Sequence, residues 1–284
     1  MSLLRTQLDR AKRLADRGLA ALELVRGSKI LSELSPLAVA SFARKARHMK
    51  FGPHLALVFH ALNHPDKEAL VYGTTRLSYR AFDAEVNRLS HALMELGFDP
   101  KDGVAVMLPN CVEHMVAQEC LPRVGGVAVQ IGYRLKGSEI AHILDNSKAE
   151  FLLYHYDYEG EVRAAIEESG QLSEEQLIAV GAPEGAATYG YDYRELLSSQ
   201  SAELPVHSGS GEGGVIIYTS GTTGRPKGAA RNWSDTGIES VSVMMTRTGM
   251  RADDRHLVVC PLYHSGALAF VKMQVGLGAT VVLM

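Results

Sequence analysis

Apolar and polar positions along this chain switch between two periods, and the switches mark its elements. Residues 68–72 read as a short strand, followed by a turn at Gly73-Thr74-Thr75. Ser78 then stands as a cap before Tyr79, Phe82, Val86, Leu89, Leu93 and Leu96. These recur every three or four residues and predict one helix, stopped by Gly97. Strands are predicted at 104–108, 127–131, 151–154 and 176–180, with helices at 112–123, 138–145 and 159–168 between them. The stretch from Gly181 to Gly214 is poorer in pattern, with a short helix near 193–197 and glycines and serines at 208–214. Beyond it the pattern predicts a strand at 215–219, a helix at 233–248 and strands at 255–260 and 280–283. Strands that alternate with helices need crossover connections, which implies an α/β fold of mainly parallel sheets with flanking helices. No internal repeat is present.

One segment interrupts this pattern with chemistry. Val215, Ile216 and Ile217 run into Tyr218-Thr219-Ser220-Gly221-Thr222-Thr223-Gly224-Arg225-Pro226-Lys227-Gly228. Glycines let the backbone bend tightly and turn successive N–H groups toward one point. The hydroxyls of Thr219, Ser220, Thr222 and Thr223 add short neutral donors, and Lys227 adds a point charge. Such a loop suits a polyphosphate. It is not a Walker A motif, because Pro226 stands where the second glycine belongs and Gly228 follows the lysine in place of Ser or Thr. A plain Ser/Thr/Gly linker would not need the apolar strand before it or Lys227 after Pro226.

Composition bounds the rest. The chain has 284 residues, 46% hydrophobic and 21% charged, as in ordinary globular domains. A net charge of −3 argues against nucleic acid as the main partner. Cys111, Cys120 and Cys260 show no metal spacing and read as buried small apolar residues in a reduced, cytoplasmic setting. Charge is uneven. Residues 1–50 carry eleven basic and four acidic residues, leaving 18 basic and 28 acidic in the remainder. Leu3, Leu4, Leu8, Leu14, Leu19, Leu22 and Val25 recur among Arg10, Lys12, Arg13 and Arg17. That is a basic amphipathic helix, able to lie on an anionic membrane surface through residues 1–26 or simply to pack on the domain body. Pro36 and Phe51-Gly52-Pro53 are read as separating this leader from the body.

The phosphate-type loop resembles, nearly residue for residue, that of the adenylate-forming (AMP-binding) superfamily, which includes acyl-CoA synthetases. The resemblance covers about residues 57–284. Leu77-Ser78-Tyr79 with Asn87-Arg88-Leu89, the run Gly103 through Asn110, and Gly126-Val127-Ala128-Val129 with Tyr133-Arg134-Leu135 are similar to further family segments. Gln130 stands where the family usually has proline, and Gly132 where it has asparagine. Pro261-Leu262-Tyr263-His264-Ser265-Gly266 resembles the segment whose side chains border the acyl pocket. The resemblance therefore implies a basic helical leader at 1–52 and a partial AMP-binding domain at 53–284. It implies phosphate binding by Thr219, Ser220, Gly221, Thr222, Thr223, Gly224 and Lys227, and a substrate pocket bordered by Tyr263, His264 and Gly266. His264 has a second reading as the cap of a helix beginning near Ser265. The other histidines, His114 and His142 among them, read as surface or helix residues.

By resemblance the reaction is ATP-dependent activation of a carboxylic acid, fatty acids foremost. The carboxylate attacks the α-phosphorus of ATP, pyrophosphate leaves with Mg²⁺, and the thiol of coenzyme A displaces AMP. A carboxylate nucleophile needs no general base, and catalysis is mainly positioning and charge neutralisation. No single catalytic residue stands out, and no metal ligand set is implied. Loading of a carrier protein, or a silent nucleotide-binding remnant, are the alternatives. Family members continue about as long again, so the expectation is an incomplete fragment, inactive alone.

Overall fold

The computed structural model describes residues 27–29, 34–47, 49, 52–205, 213–219, 227–232 and 238–284. The amphipathic pattern expected at 3–25 lies outside them, as do residues 220–226 of the glycine-hydroxyl loop and the start of the helix expected from 233.

Among the described residues two helices precede the first strand: α1 (Pro36–Ala46) and α2 (His54–Asn63). The first falls inside the helical leader expected at 1–52, and the second was not predicted. Pro36 does not separate here. It opens α1, where its missing N–H costs nothing, and Ser35 Oγ accepts from the N–H of Ala38. The Phe42 and Phe59 rings pack edge to face, 5.4 Å apart, joining α1 to α2. Strand β1 (Glu68–Tyr72) turns antiparallel into β2 (Thr75–Ser78), so Thr75 belongs to a strand and not to the turn. Helix α3 (Tyr79–Glu95) follows, with Ser78 Oγ accepting from the Ala81 N–H and Gly97 at φ +89° beyond its end, as the pattern requires.

The chain then alternates through β3 (Gly103–Met107), α4 (Val112–Val124), β4 (Val127–Gln130), α5 (Gly137–Ser147), β5 (Ala149–His155), α6 (Glu159–Ser169) and β6 (Leu177–Val180). A two-residue β7 (Tyr191–Asp192) and α7 (Tyr193–Ser198) lead to β8 (Gly214–Thr219). After it come β9 (Lys227–Asn232), α8 (Ile238–Arg247), β10 (Arg255–Val258), α9 (Ser265–Leu277) and β11 (Thr280–Leu283). These form a seven-stranded sheet of order β7-β6-β5-β3-β4-β8-β9 and a four-stranded sheet of order β10-β11-β1-β2. All pairings are parallel except β1–β2 and β8–β9, which matches the mainly parallel expectation.

The two sheets share one core. Val104, Val106 and Ala128 of the large sheet and Leu70, Val281 and Leu283 of the small one belong to the same buried cluster. Helix α4 runs through it, and every residue from His114 to Val124 is buried. Such a helix must solve the burial of its own charges. Arg123 donates from Nη2 to Asp83 Oδ1 at 2.7 Å and from Nη1 to Asn87 Oδ1. Glu119 accepts from Lys272 Nζ of α9 at 2.8 Å. Tyr79 OH donates to the Ala279 carbonyl at 2.7 Å. The leader is tied down as well: Ala252 N–H donates to the Ser28 carbonyl at 2.9 Å, and Lys29 pairs with Asp253.

His114 lies in a helix, one of its two expected settings, and is wholly buried there. One single-residue expectation is corrected. Cys111 and Cys120 are buried, whereas Cys260 is exposed because β10 ends at Val258 and the chain turns outward beyond it.

Replacing Arg123 with methionine should destabilise the chain by about 3–5 kcal/mol, since it leaves the Asp83 carboxylate without its buried partner. Urea unfolding checks this, and a midpoint equal to that of the parent would show that the pair contributes nothing. Burial also depresses two histidines, His54 to about 3 and His114 to about 4. Unfolded, each takes a proton near 6.5. Between these values the unfolded chain binds more protons than the folded one, so stability is full above pH 6.5 and is lost as pH falls toward 4. The loss should reach on the order of 3 kcal/mol for each histidine by pH 4. His114→Gln should flatten that slope in urea titrations run from pH 7 to 4.

Candidate active site

Parallel strands deliver their following loops to one edge of a sheet, and here four such segments meet. After β3, Asn110 sits just before α4. After β4 come Gly132 and Tyr133, and β5 ends at His155 with Tyr158 beyond it. The segment after β10 is 261–266, and β8 leads into residues 220–226, which lie outside the described residues.

Asn110 holds two of these together. Its Nδ2 donates to the Cys260 carbonyl at 3.2 Å, and its Oδ1 accepts from the Leu262 N–H at 2.9 Å. One amide thus clamps the end of the small sheet to the end of the large one. In the sequence Asn110 stands out only as the end of a strand and turn and, with Pro109, as the opening of the next helix. The signal was the Pro-Asn pair, but its partners lie 150 residues away.

Aromatic rings make the second connection. Tyr263 meets Tyr133 edge to face at 5.6 Å and lies 4.3 Å from His264. Tyr133 continues to Tyr158 at 5.4 Å, Tyr158 to His155 at 6.0 Å, and the Arg134 guanidinium lies 5.6 Å from the Tyr133 ring centre. One of the two departures from the family pattern, Gly132, lies against this row. A Cβ at Gly132 would already touch the Tyr263 ring at 3.5 Å, so a larger side chain would compete with it for space. Gln130 is buried in the β4 ladder between Val106 and Ile217, and its amide faces the buried His114 imidazole.

Tyr263 is half-buried, whereas His264 and Gly266 are exposed. His264 occupies the cap position of α9, but its side chain makes no capping hydrogen bond. The position fits the helix-cap alternative and the imidazole does not serve it. A Cβ at Gly266 would meet nothing within 4 Å, so the protein's own packing does not demand glycine there.

Lys227 is exposed and opens β9, a strand that the sequence pattern missed. Thr219 pairs with Lys227 and Tyr218 with Gly228 across an antiparallel hairpin. Residues 220–226, including Ser220, Gly221, Thr222, Thr223 and Gly224, are therefore spanned by a closed ladder that holds both ends of the loop. A Cβ at Gly228 would stand 3.1 Å from both Ile216 Cγ2 and Tyr218 Cζ, so a larger residue there would have to push these side chains aside. Tyr218 OH in turn donates to Asn146 Oδ1 at 2.8 Å. Among the described residues no group of three or more His, Cys, Asp or Glu side chains gathers around a potential metal position.

Comparison with known proteins agrees with this geometry. The model of the AMP-binding enzyme family matches residues 58–284. A feruloyl-CoA synthase of Amycolatopsis sp is 31% identical over 220 residues, covering 77% of this chain and 41% of its own length. A long-chain-fatty-acid–CoA ligase of Mycobacterium tuberculosis is 31% identical over 226 residues, covering 78% of this chain and 42% of its own. The chain thus spans less than half the length of these relatives. Among solved structures, the inhibitor-bound N-terminal domain of FACL13 from Mycobacterium tuberculosis superposes with a TM-score of 0.69 at 28% identity, covering 83% of this chain and 57% of that one. An anthranilate CoA ligase in complex with anthranoyl-AMP shares the fold, with a TM-score of 0.71 at 21% identity over 83% of this chain and 45% of that one. With the AMP-binding enzyme model matched across residues 58–284, the chain belongs to the AMP-binding enzyme family.

Proposed function

We propose that this chain takes part in ATP-dependent activation of a carboxylic acid, through an acyl-adenylate to an acyl-CoA. The observation that carries the reading is the sequence run 218–228, whose described ends, Thr219 and Lys227, pair in the β8–β9 hairpin. In this scheme an oxygen of the acid attacks the α-phosphorus and the bond to the β-phosphate oxygen breaks, releasing pyrophosphate. The thiol sulfur of coenzyme A then bonds to the acyl carbon, and AMP leaves as its C–O bond breaks. The backbone N–H groups and hydroxyls of residues 219–224 would hold the β and γ phosphates, and Lys227 would offset their charge. Mg²⁺ favours oxygen ligands and retains water, so the phosphates and loop hydroxyls would satisfy it without an all-protein cage.

Tyr263, His264 and Gly266 would border the acid. A fatty acid is the leading substrate class. An aromatic acid is a second reading, favoured by the row of Tyr158, Tyr133 and Tyr263 rings, whose faces and edges suit a flat ring.

Two outcomes test this. Lys227→Ala should weaken binding of Mg·ATP, measured by calorimetry, by roughly five- to tenfold, the lower end reflecting solvent screening of an exposed lysine. In a protein that joins this chain to the remainder found in its relatives, adenylate formation followed by ATP–pyrophosphate exchange should lose roughly a hundredfold to a thousandfold in rate with either Lys227→Ala or Thr223→Ala. Values indistinguishable from the parent would remove the loop from the reaction. Separately, His264→Phe should shift preference across a panel of straight-chain and aromatic acids, because one methylene of fit is worth about 1–3 kcal/mol. Its ATP affinity should hold. An unchanged acid profile with a new pH dependence would make His264 a proton-transfer group instead.

A further inference from the structure

Side chains alternate along β8, and its two faces meet different surroundings. Ile217 packs against the cluster shared by the two sheets, which also holds Cys111 and Leu262, the neighbours of the Asn110 clamp. Ile216 and Tyr218 pack the other way, against the cluster that holds Ile143 and Leu144 of α5. Residues directly opposite each other in an antiparallel ladder share a face. Lys227 stands opposite Thr219, two positions on from Ile217, and so belongs to the Ile217 face. Gly228 stands opposite Tyr218 on the back face. Tyr218 is therefore turned away from the side on which Lys227 stands.

From that back face Tyr218 holds three elements. Its backbone belongs to β8, directly before Thr219. Its ring lies against β9, because the position of a Cβ on Gly228 is 3.1 Å from Tyr218 Cζ and 3.3 Å from Cε1. Its OH donates to Asn146 Oδ1 at 2.8 Å in the last turn of α5, and the Ser147 hydroxyl is also within its reach. Strand β9 needs such a hold. It is the outermost strand of the large sheet, and among the described residues only β8 pairs with it. One half-buried side chain thus ties both ends of the 219–227 run to a helix behind them.

We propose that Tyr218 is a positioning residue for Lys227. By holding β9 through Gly228 and α5 through Asn146, it sets the point from which Lys227 reaches the phosphates of Mg·ATP. It touches no phosphate itself, since it packs on the opposite face of the hairpin. A lysine ammonium is a point charge on a flexible stem, so the fold controls it mainly through the place of its backbone. A displacement of about 1 Å is enough to cost much of a positioned contact. The phenol OH is suited to this task more than to stability, because phenylalanine would pack in the same space and a single hydrogen bond contributes little net. The inference rests on the reading of 218–228 as a phosphate-binding run, and it adds a residue that acts through another.

A double-mutant cycle tests it, with Mg·ATP binding to the full 284-residue chain read by calorimetry. Tyr218→Phe keeps the ring and removes only the OH, and it should weaken binding roughly threefold. Gly228→Ala presses the ring away from β9 and should weaken binding by a similar factor. In the Lys227→Ala background neither change should weaken binding further, because the group being positioned is gone. Thermal melting of each variant verifies a folded chain at the temperature of the measurement. A tyrosine with a structural role alone would lower the melting temperature and leave the affinity unchanged, or would add its loss to that of Lys227→Ala. Either result overturns the proposal while the phosphate-binding reading stands. Mg·ATP binding that is absent from the parent, or unchanged by Lys227→Ala, overturns that reading and this proposal together.

Discussion

The arrangement depends on one helix having no exposed side from its third residue onward. Helix α4 is enclosed between two sheets, so each polar group on it must be answered by another element. Arg123 is answered by Asp83 and Asn87 of α3, and Glu119 by Lys272 of α9. Removing either partner would leave a charge in a medium that cannot solvate it. These bonds do more than stabilise the interior. Lys272 belongs to the helix whose first turn follows Tyr263 and His264, and Asn110 stands just before the start of α4 itself. The ion pairs deep in the core thereby fix the relative position of the two sheet edges that the candidate site spans.

Much of the fold was legible because local signals and long-range packing agree. Helix α3 shows one apolar stripe, a serine cap and a terminal glycine, and it folds as that pattern states. Helix α4 shows how position can be read while environment is not. Its limits were readable, but its residues carry little amphipathic contrast, because it is buried from both sides. Nothing in the run Val112–Val124 distinguishes His114 from a histidine at the surface. Strand β9 was invisible for the opposite reason: Lys-Gly-Ala-Ala-Arg-Asn has no alternating large apolar residues, and the strand exists because β8 provides a partner. Helices α1 and α2 fell in a stretch read as punctuation, where Pro36 signals a helix start as readily as a break.

The candidate site divides in the same way. Phosphate loops are built from consecutive residues, so the glycines, hydroxyls and Lys227 can be read from the chain alone. The segment 261–266 was also legible as a run, and its neighbours Tyr133 and Tyr158 were not, because ring contacts between separate loops leave no mark on either. The exposed Cys260 was read as buried, since a strand was extended two residues too far.

Asn110 is a single amide that gives and receives at once. Its Nδ2 faces a carbonyl oxygen and its Oδ1 faces an amide N–H, so each end of the group is assigned by its neighbour. Aspartate has the same shape, yet it would set a carboxylate oxygen against the Cys260 carbonyl. Leucine has the same branching, yet it would leave both backbone groups without partners. Slow hydrolysis of that amide, a common form of chemical ageing in proteins, exchanges one nitrogen for one oxygen and reverses one hydrogen bond into a repulsion. The clamp between these two strand ends, unlike the shared core beneath it, is therefore as durable as one carbon–nitrogen bond outside the backbone.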